Sequence, residues 1–152
     1  MPKQTEVKAG NVTFSNERPL AFIAGPCIIE SPRAYAAEAA ALKKIFSGLR
    51  TPFVLKASFD KANRTSHKAF RGIGMRDSLA LLAEVKKRLG VTLLVDVHDP
   101  AQAGAVAEVA DILQVPAFMC RQTDLLFACA DTGRAVNVRK ASSSPPGTPR
   151  IS

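Results

Sequence analysis

Tryptophan is absent from the 152 residues, tyrosine occurs once, and aromatic residues make up only 6%. That shortage, with no groove-reading motif and basic residues scattered over several segments, argues against a nucleic-acid reader. Acidic side chains are also scarce, 13 against 21 lysines and arginines, for a net charge of +8. An excess of that sign expects anionic partners, and small phosphorylated ligands fit it better than nucleic acid. Cysteine is limited to Cys27, Cys120 and Cys129. An odd number without a CxxC spacing excludes a disulfide framework and reads as reduced thiols, one of which could be a ligand or nucleophile. No apolar run is long enough to span a membrane, and the polar start "MPKQTEVKAGN" is not a signal peptide. A cytosolic protein with no membrane partner is the expectation. With 47% hydrophobic residues, the chain has the material for one domain with a sizeable core.

What is present is a repeated alternation of strand and helix. Buried-strand runs occur at Leu20 to Gly25, Phe53 to Ser58, Thr92 to Val97, Asp111 to Val115 and Ala135 to Lys140. Ser31 and Pro32 form a cap and first-turn pair, and Leu42, Ile45, Phe46 and Leu49 follow at helical spacing. Leu82, Val85 and Leu89 mark a second helix closed by Gly90. Asp99, Pro100 and Gln102 resemble a capping box before a third, which carries Val106 and Val109. A fourth runs from near Thr123 to Gly133, and "VKAGNVTF" reads as a short hairpin turning at Gly10 and Asn11.

Two architectures fit this alternation: a five-stranded doubly wound sheet, or the first part of a (β/α)₈ TIM barrel, which takes roughly 250 residues in full. The polar residues favour the barrel. Cys27, Lys56 and Lys61, Asp96 and His98, Gln114, and Arg139 with Lys140 stand at the ends of five successive strands. A barrel draws its ligand groups from every strand around one mouth, whereas an open sheet concentrates them at one switch point. Lys56 is the sharpest of these, because it lies inside the apolar run "FVLKAS", where an unpaired ammonium would be costly to desolvate and a bound anion would offset the cost. The others have plainer readings: Cys27 as a small core residue, His98 as a loop-orienting group, rim lysines as solvated charges. The Gly72 and Gly74 pair in "RGIGM" lacks the lysine and hydroxyl of a P-loop.

The segments "AGPCIIES", "LKASFDKANRTS", "FRGIGM", "DVHDPAQA", "LQVPAFMCRQTDLL" and "TGRAVNVRK" closely resemble, in this order, those of 3-deoxy-D-manno-octulosonate 8-phosphate synthases, from about Leu20 to Lys140. The resemblance implies a (β/α)₈ barrel, a homotetramer, and condensation of phosphoenolpyruvate with D-arabinose 5-phosphate and water. Enol carbon 3 attacks the aldehyde, water adds at carbon 2, and phosphate leaves with carbon–oxygen cleavage. By the same resemblance, Lys56, Ser58 and Lys61 line the phosphoenolpyruvate and aldehyde region, and Asn63, Arg64 and Thr65 take the pentose phosphate. Gln114 and Arg139 complete the phosphoenolpyruvate site, Asp96 faces the sugar, and Phe118 and Arg121 reach toward a neighbouring subunit. Lys61 and Asp96 are the catalytic candidates. Arginine at 139 and threonine at 65 replace the family's usual lysine and serine.

Cysteine rather than asparagine at position 27 resembles the metal-dependent subclass, which implies a divalent ion (zinc, iron(II) or manganese) held by Cys27 and by a histidine, a glutamate and an aspartate from later strands. The alternatives are a stand-alone sugar-phosphate-binding module and the related 3-deoxy-heptulosonate 7-phosphate synthase, which uses a tetrose phosphate. After Lys140 the composition shifts to "ASSSPPGTPRIS", without strand or helix signal. The family continues instead with a sequence like Gly-Gln-Phe-Leu-Ala-Pro-Trp-Asp. One base deleted from a GC-rich reading frame for that peptide gives Ala-Ser-Ser-Ser-Pro-Pro-Gly-Thr, matching Ala141 to Thr148. The expectation is therefore a partial barrel domain over residues 1–140 and a frameshifted, disordered tail over 141–152. Such a chain would be inactive alone and unable to retain the metal.

Overall fold

The computed structural model of the chain describes residues 5–64, 66 and 68–140. A hairpin comes first, with β1 (Val7–Ala9) antiparallel to β2 (Val12–Phe14) and Gly10 at φ +56° in the turn. A left-handed residue at that point suits glycine, as the Gly10–Asn11 pair implied. Five parallel strands follow: β3 (Phe22–Ala24), β4 (Phe53–Ala57), β5 (Thr92–Asp96), β6 (Ile112–Val115) and β7 (Ala135–Val138). Their spatial order is their sequence order, β3-β4-β5-β6-β7. A doubly wound sheet reverses its strand order at a switch point, and this sheet does not. It is the singly wound arrangement of a barrel, five strands wide.

Alternation along the strands sorts the side chains onto two faces. Leu55, Ala57, Leu93, Val95, Leu113 and Val115 share one core with Tyr35, Leu82, Val85, Val106 and Leu125 of the helices. Val54, Leu94 and Ile112 point the other way and bury against Ala9 and Val12 of the hairpin. The hairpin thus plugs the inner face at the end where the strands begin. It is tied there by Asn11, whose backbone N–H donates to Thr92 Oγ1 at 3.1 Å and whose side-chain amide donates to the Gly90 carbonyl at 3.4 Å.

Helix α1 (Pro32–Gly48) starts as the sequence implies, Ser31 Oγ accepting from the Ala34 N–H at 3.2 Å. Its buried stripe differs from the expected one. Leu42 and Phe46 of the expected set do pack toward the sheet, but Ile45 and Leu49 are exposed, and Tyr35 and Ala39 complete the stripe in their place. Both sets have helical spacing, so the helix's rotation about its own axis is decided by which set meets β4, where Phe46 stacks on Phe53 at 4.5 Å. Helix α2 (Met75–Leu89) closes at Gly90, φ +59°, with Lys86, Lys87 and Arg88 in its last turn against the negative end of the dipole. Lys86 Nζ donates to Asp111 Oδ1 at 2.8 Å and to the Val109 carbonyl at 2.9 Å, while Asp111 Oδ2 accepts from the Leu93 N–H at 2.9 Å. That staple fixes α2 to the entrance of β6.

Before α3 (Ala103–Val109) the chain makes a 3₁₀ turn over Pro100–Gln102. Asp99 caps it, Oδ1 accepting from the Ala101 N–H, but Gln102 reaches back to the His98 N–H at 2.9 Å rather than to the cap residue. The expected capping box is therefore a bridge to the end of β5. Helix α4 (Thr123–Asp131) ends just before Gly133, φ +70°.

Gly25 leaves β3 so close to β4 that a Cβ built on it would lie 2.1 Å from the Lys56 carbonyl oxygen. Backbone cannot yield as a side chain can. Gly25→Ala is expected to destabilise the chain by about 2 kcal/mol or more, read as a lower urea midpoint. An unchanged midpoint would show that β3 does not sit against β4 as described.

Candidate active site

The period-two pattern and parallel register together place four polar side chains on the inner face, Asp96, Gln114 and Asn137 at one level and Lys56 one inward-facing position earlier on β4. Asp96 is in register with Gln114, and Gln114 with Asn137, while Lys56 lies across from Leu94 on the neighbouring strand. These four form one hydrogen-bonded row across β4, β5, β6 and β7. Lys56 Nζ donates to Asp96 Oδ2 at 2.9 Å, Gln114 Nε2 to Asp96 Oδ1 at 2.5 Å, and Asn137 Nδ2 to Gln114 Oε1 at 2.7 Å. The Lys56 and Asp96 side chains are only 16% and 11% exposed. The compensation that the buried ammonium requires is thus built in as the carboxylate of the next strand.

Beyond the row, in the direction in which the strands run, lies a cleft of about 140 Å³. Its lining includes Cys27, Lys56, Ser58, Lys61, Asn63, Asp96, Gln114, Phe118 and Arg139, nine of the twelve residues singled out from the sequence. Arg64 and Arg121 are exposed and do not line it, and Thr65 lies outside the described residues. Cys27 is exposed and Phe118 is 57% exposed. Ser58 is buried, its hydroxyl donating to the Asp60 carbonyl at 2.8 Å, so in this arrangement its oxygen is left as an acceptor.

The loop after β4 owes its shape to a contact that strand-end reasoning did not find. Arg71 grips Asp60 with both arms, Nε to Oδ1 at 2.8 Å and a terminal nitrogen to Oδ2 at 2.5 Å, and the Lys61 N–H donates to the Arg71 carbonyl at 3.0 Å. Gly72 permits the fold-back, since a Cβ there would meet the Phe59 carbonyl oxygen at 2.3 Å. Of the "RGIGM" glycines, Gly72 thus serves close packing, whereas Gly74 has open space around it and takes a positive φ of +92° ahead of α2. Both carboxylates of the cleft are committed, Asp96 to Lys56 and Asp60 to Arg71. Lys61 and Arg139 have no ion pair among the described residues. The cleft is therefore net cationic and suited to anionic oxygens.

His98 also lines the cleft. Its ring stands edge-on to Phe59 at 5.7 Å, and its buried Nδ1 has no hydrogen-bond partner among the described residues. Asn137 was not among the expected site residues, although two-residue spacing from Arg139 places it on the same face. Cys27 is one possible metal donor, but no group of three or more His, Cys, Asp or Glu among the described residues is arranged to hold an ion. These residues alone do not make a metal centre.

The chain matches the DAHP synthetase I family over residues 3–149. It is 56% identical over 135 residues to a 2-dehydro-3-deoxyphosphooctonate aldolase of Bradyrhizobium sp. (strain ORS 278), covering 88% of this chain and 47% of that relative. Proteins of the same name from Pelobacter propionicus and Brucella ovis are 53% and 56% identical, over 89% and 88% of this chain and 50% and 48% of theirs. The chain spans about half the length of the curated relatives it matches. Among the described residues no helix is long and apolar enough to cross a membrane.

Burial pushes the His98 imidazole below its ordinary 6.5, the nearby Asp96 carboxylate opposing this only in part. The unfolded chain then binds a proton that the fold resists, so this contribution is intact above about pH 6.5 and is lost as pH falls below it. From about pH 7.5 to 5.5, urea stability is expected to fall more in the wild type than in His98→Gln. An equal fall in both would show that His98 is not held neutral by burial.

Proposed function

Because the chain belongs to the DAHP synthetase I family, we propose that it carries the phosphoenolpyruvate-binding part of a 3-deoxy-D-manno-octulosonate 8-phosphate synthase, a reading supported by the name its relatives bear. The observation that carries the proposal is the cleft. It joins one lysine–carboxylate pair to two further cations, Lys61 and Arg139, at the ends of consecutive parallel strands.

Phosphoenolpyruvate brings a phosphate and a carboxylate. In the proposed pose Arg139, Lys56 and the Gln114 amide bind those oxygens, and Lys61 directs its ammonium at the aldehyde oxygen of D-arabinose 5-phosphate. Asp96 faces the sugar, with Ser58 nearby. Asn63 and Arg64 extend toward the pentose phosphate, with Thr65 beside them in sequence. Carbon 3 of the enol forms the new bond to the aldehyde carbon, whose oxygen takes up a proton. Water adds at carbon 2, and the carbon–oxygen bond to the phosphate then breaks. Charge gathers on oxygens at each stage, and fixed cations stabilise it there without reorganising.

Several finer points belong to the same proposal. Phe118 and Arg121, exposed on the segment after β6, are directed toward a neighbouring subunit in a homotetramer. Cys27 is one ligand of a divalent ion whose other donors lie outside the described residues. The last twelve residues, 141–152, also lie outside the described residues and are a frameshifted tail. The working location is the cytoplasm.

The test is phosphate release by a version continued to the length of the relatives. It should turn over phosphoenolpyruvate with D-arabinose 5-phosphate and not with erythrose 4-phosphate. Lys61→Ala should lower the rate about 100-fold, and the 152-residue chain alone should release no phosphate. Preference for the tetrose would identify the heptulosonate synthase instead, and saturable pentose-phosphate binding without turnover would identify a binding module.

A further inference from the structure

A buried glutamine side chain has two orientations, related by exchanging its oxygen and nitrogen, and they are not equivalent beside a carboxylate. Gln114 is 4% exposed, and the group nearest its amide is Asp96 Oδ1, at 2.5 Å. An ionised carboxylate only accepts, so the NH₂ must face Asp96 and Oε1 must face β7. At that point β7 supplies Asn137, in register, donating from Nδ2 at 2.7 Å. Asn137 also borders an apolar hollow of about 200 Å³ below the row, lined by Val7, Phe14, Ile23, Ile112 and Ala135. Without the Asn137 donor, Gln114 Oε1 would have no hydrogen-bond partner among the described residues. Turning the amide over would press its oxygen against Asp96.

We propose that Asn137 is a positioning residue: by donating to Gln114 Oε1 it holds the Gln114 amide with one N–H on Asp96 and the other available to the cleft. The end of the row on β7 thereby sets the direction of a donor two strands from Lys56. Asn137 does not line the cleft itself, and its effect passes through Gln114. The consequence for phosphoenolpyruvate rests on the synthase reading, whereas the orientation of the amide does not.

Side-chain amide proton exchange in the ¹⁵N-labelled 152-residue chain tests this directly, with exposed Gln122 as the internal reference. The Gln114 and Asn137 NH₂ groups should each exchange about tenfold or more slowly than that of Gln122. In Asn137→Leu, similar in size but without a donor, the Gln114 amide should move toward the Gln122 rate while the backbone spectrum stays dispersed. In Gln114→Leu the Asn137 amide should be released in turn. Unprotected Asn137 in the wild type, or unchanged Gln114 exchange in Asn137→Leu, would overturn the proposal, and the first of these needs no variant to fold. A parallel calorimetric titration with phosphoenolpyruvate should show about tenfold weaker binding by Asn137→Leu. If the 152-residue wild type binds none, the exchange rates still decide the role of Asn137, and turnover by the lengthened version decides the synthase reading.

Discussion

An ammonium group buried in a parallel sheet must be matched, and the match between Lys56 and Asp96 is the contact on which the rest of the site depends. Lys56 occupies the fourth position of a five-residue strand whose other four residues are buried and apolar. Asp96, at the end of the next strand, meets it at 2.9 Å with both side chains largely shielded from water. Removing either partner would leave a charge stranded in a low-dielectric layer, which costs more than the pair contributes. The carboxylate has a second oxygen, and Gln114 uses it. The row therefore extends strand by strand, each polar group fixed by the one before.

The same sheet explains why the pair is dry below and wet above. On one side, Val54, Leu94 and Ile112 close over the hairpin residues Ala9 and Val12. On the other, Ser58, His98 and Arg139 surround an open cleft. A polar layer between an apolar plug and solvent can direct its donors only one way. Sequential strand order makes this possible, since each βα unit adds one further inward-facing group to the same rim.

Much of this was legible in the sequence because it follows from periodicity. Five apolar runs gave five strands within about two residues of their observed ends, and polar residues at those ends gave most of the cleft lining. What the sequence left open was whatever depends on contacts between distant segments. The bidentate grip of Arg71 on Asp60 joins residues eleven apart through a loop with no regular period. The rotation of α1 hinges on whether Phe46 or Ile45 meets the sheet. The apolar run around Lys56 implies a bound anion to offset its burial, and nothing in the sequence shows that Asp96, forty residues on, supplies the negative charge instead. Strand neighbours are set by topology, and topology is not written in either strand alone.

The dependence of the site on this one contact is measured most directly by a double-mutant cycle in urea with Lys56→Met and Asp96→Leu. The account predicts that each single change destabilises strongly and that the double change is far milder than their sum, with a coupling of roughly 2 kcal/mol or more. Additive effects, with a coupling near zero, would show that the pair does not hold the row and would contradict the account.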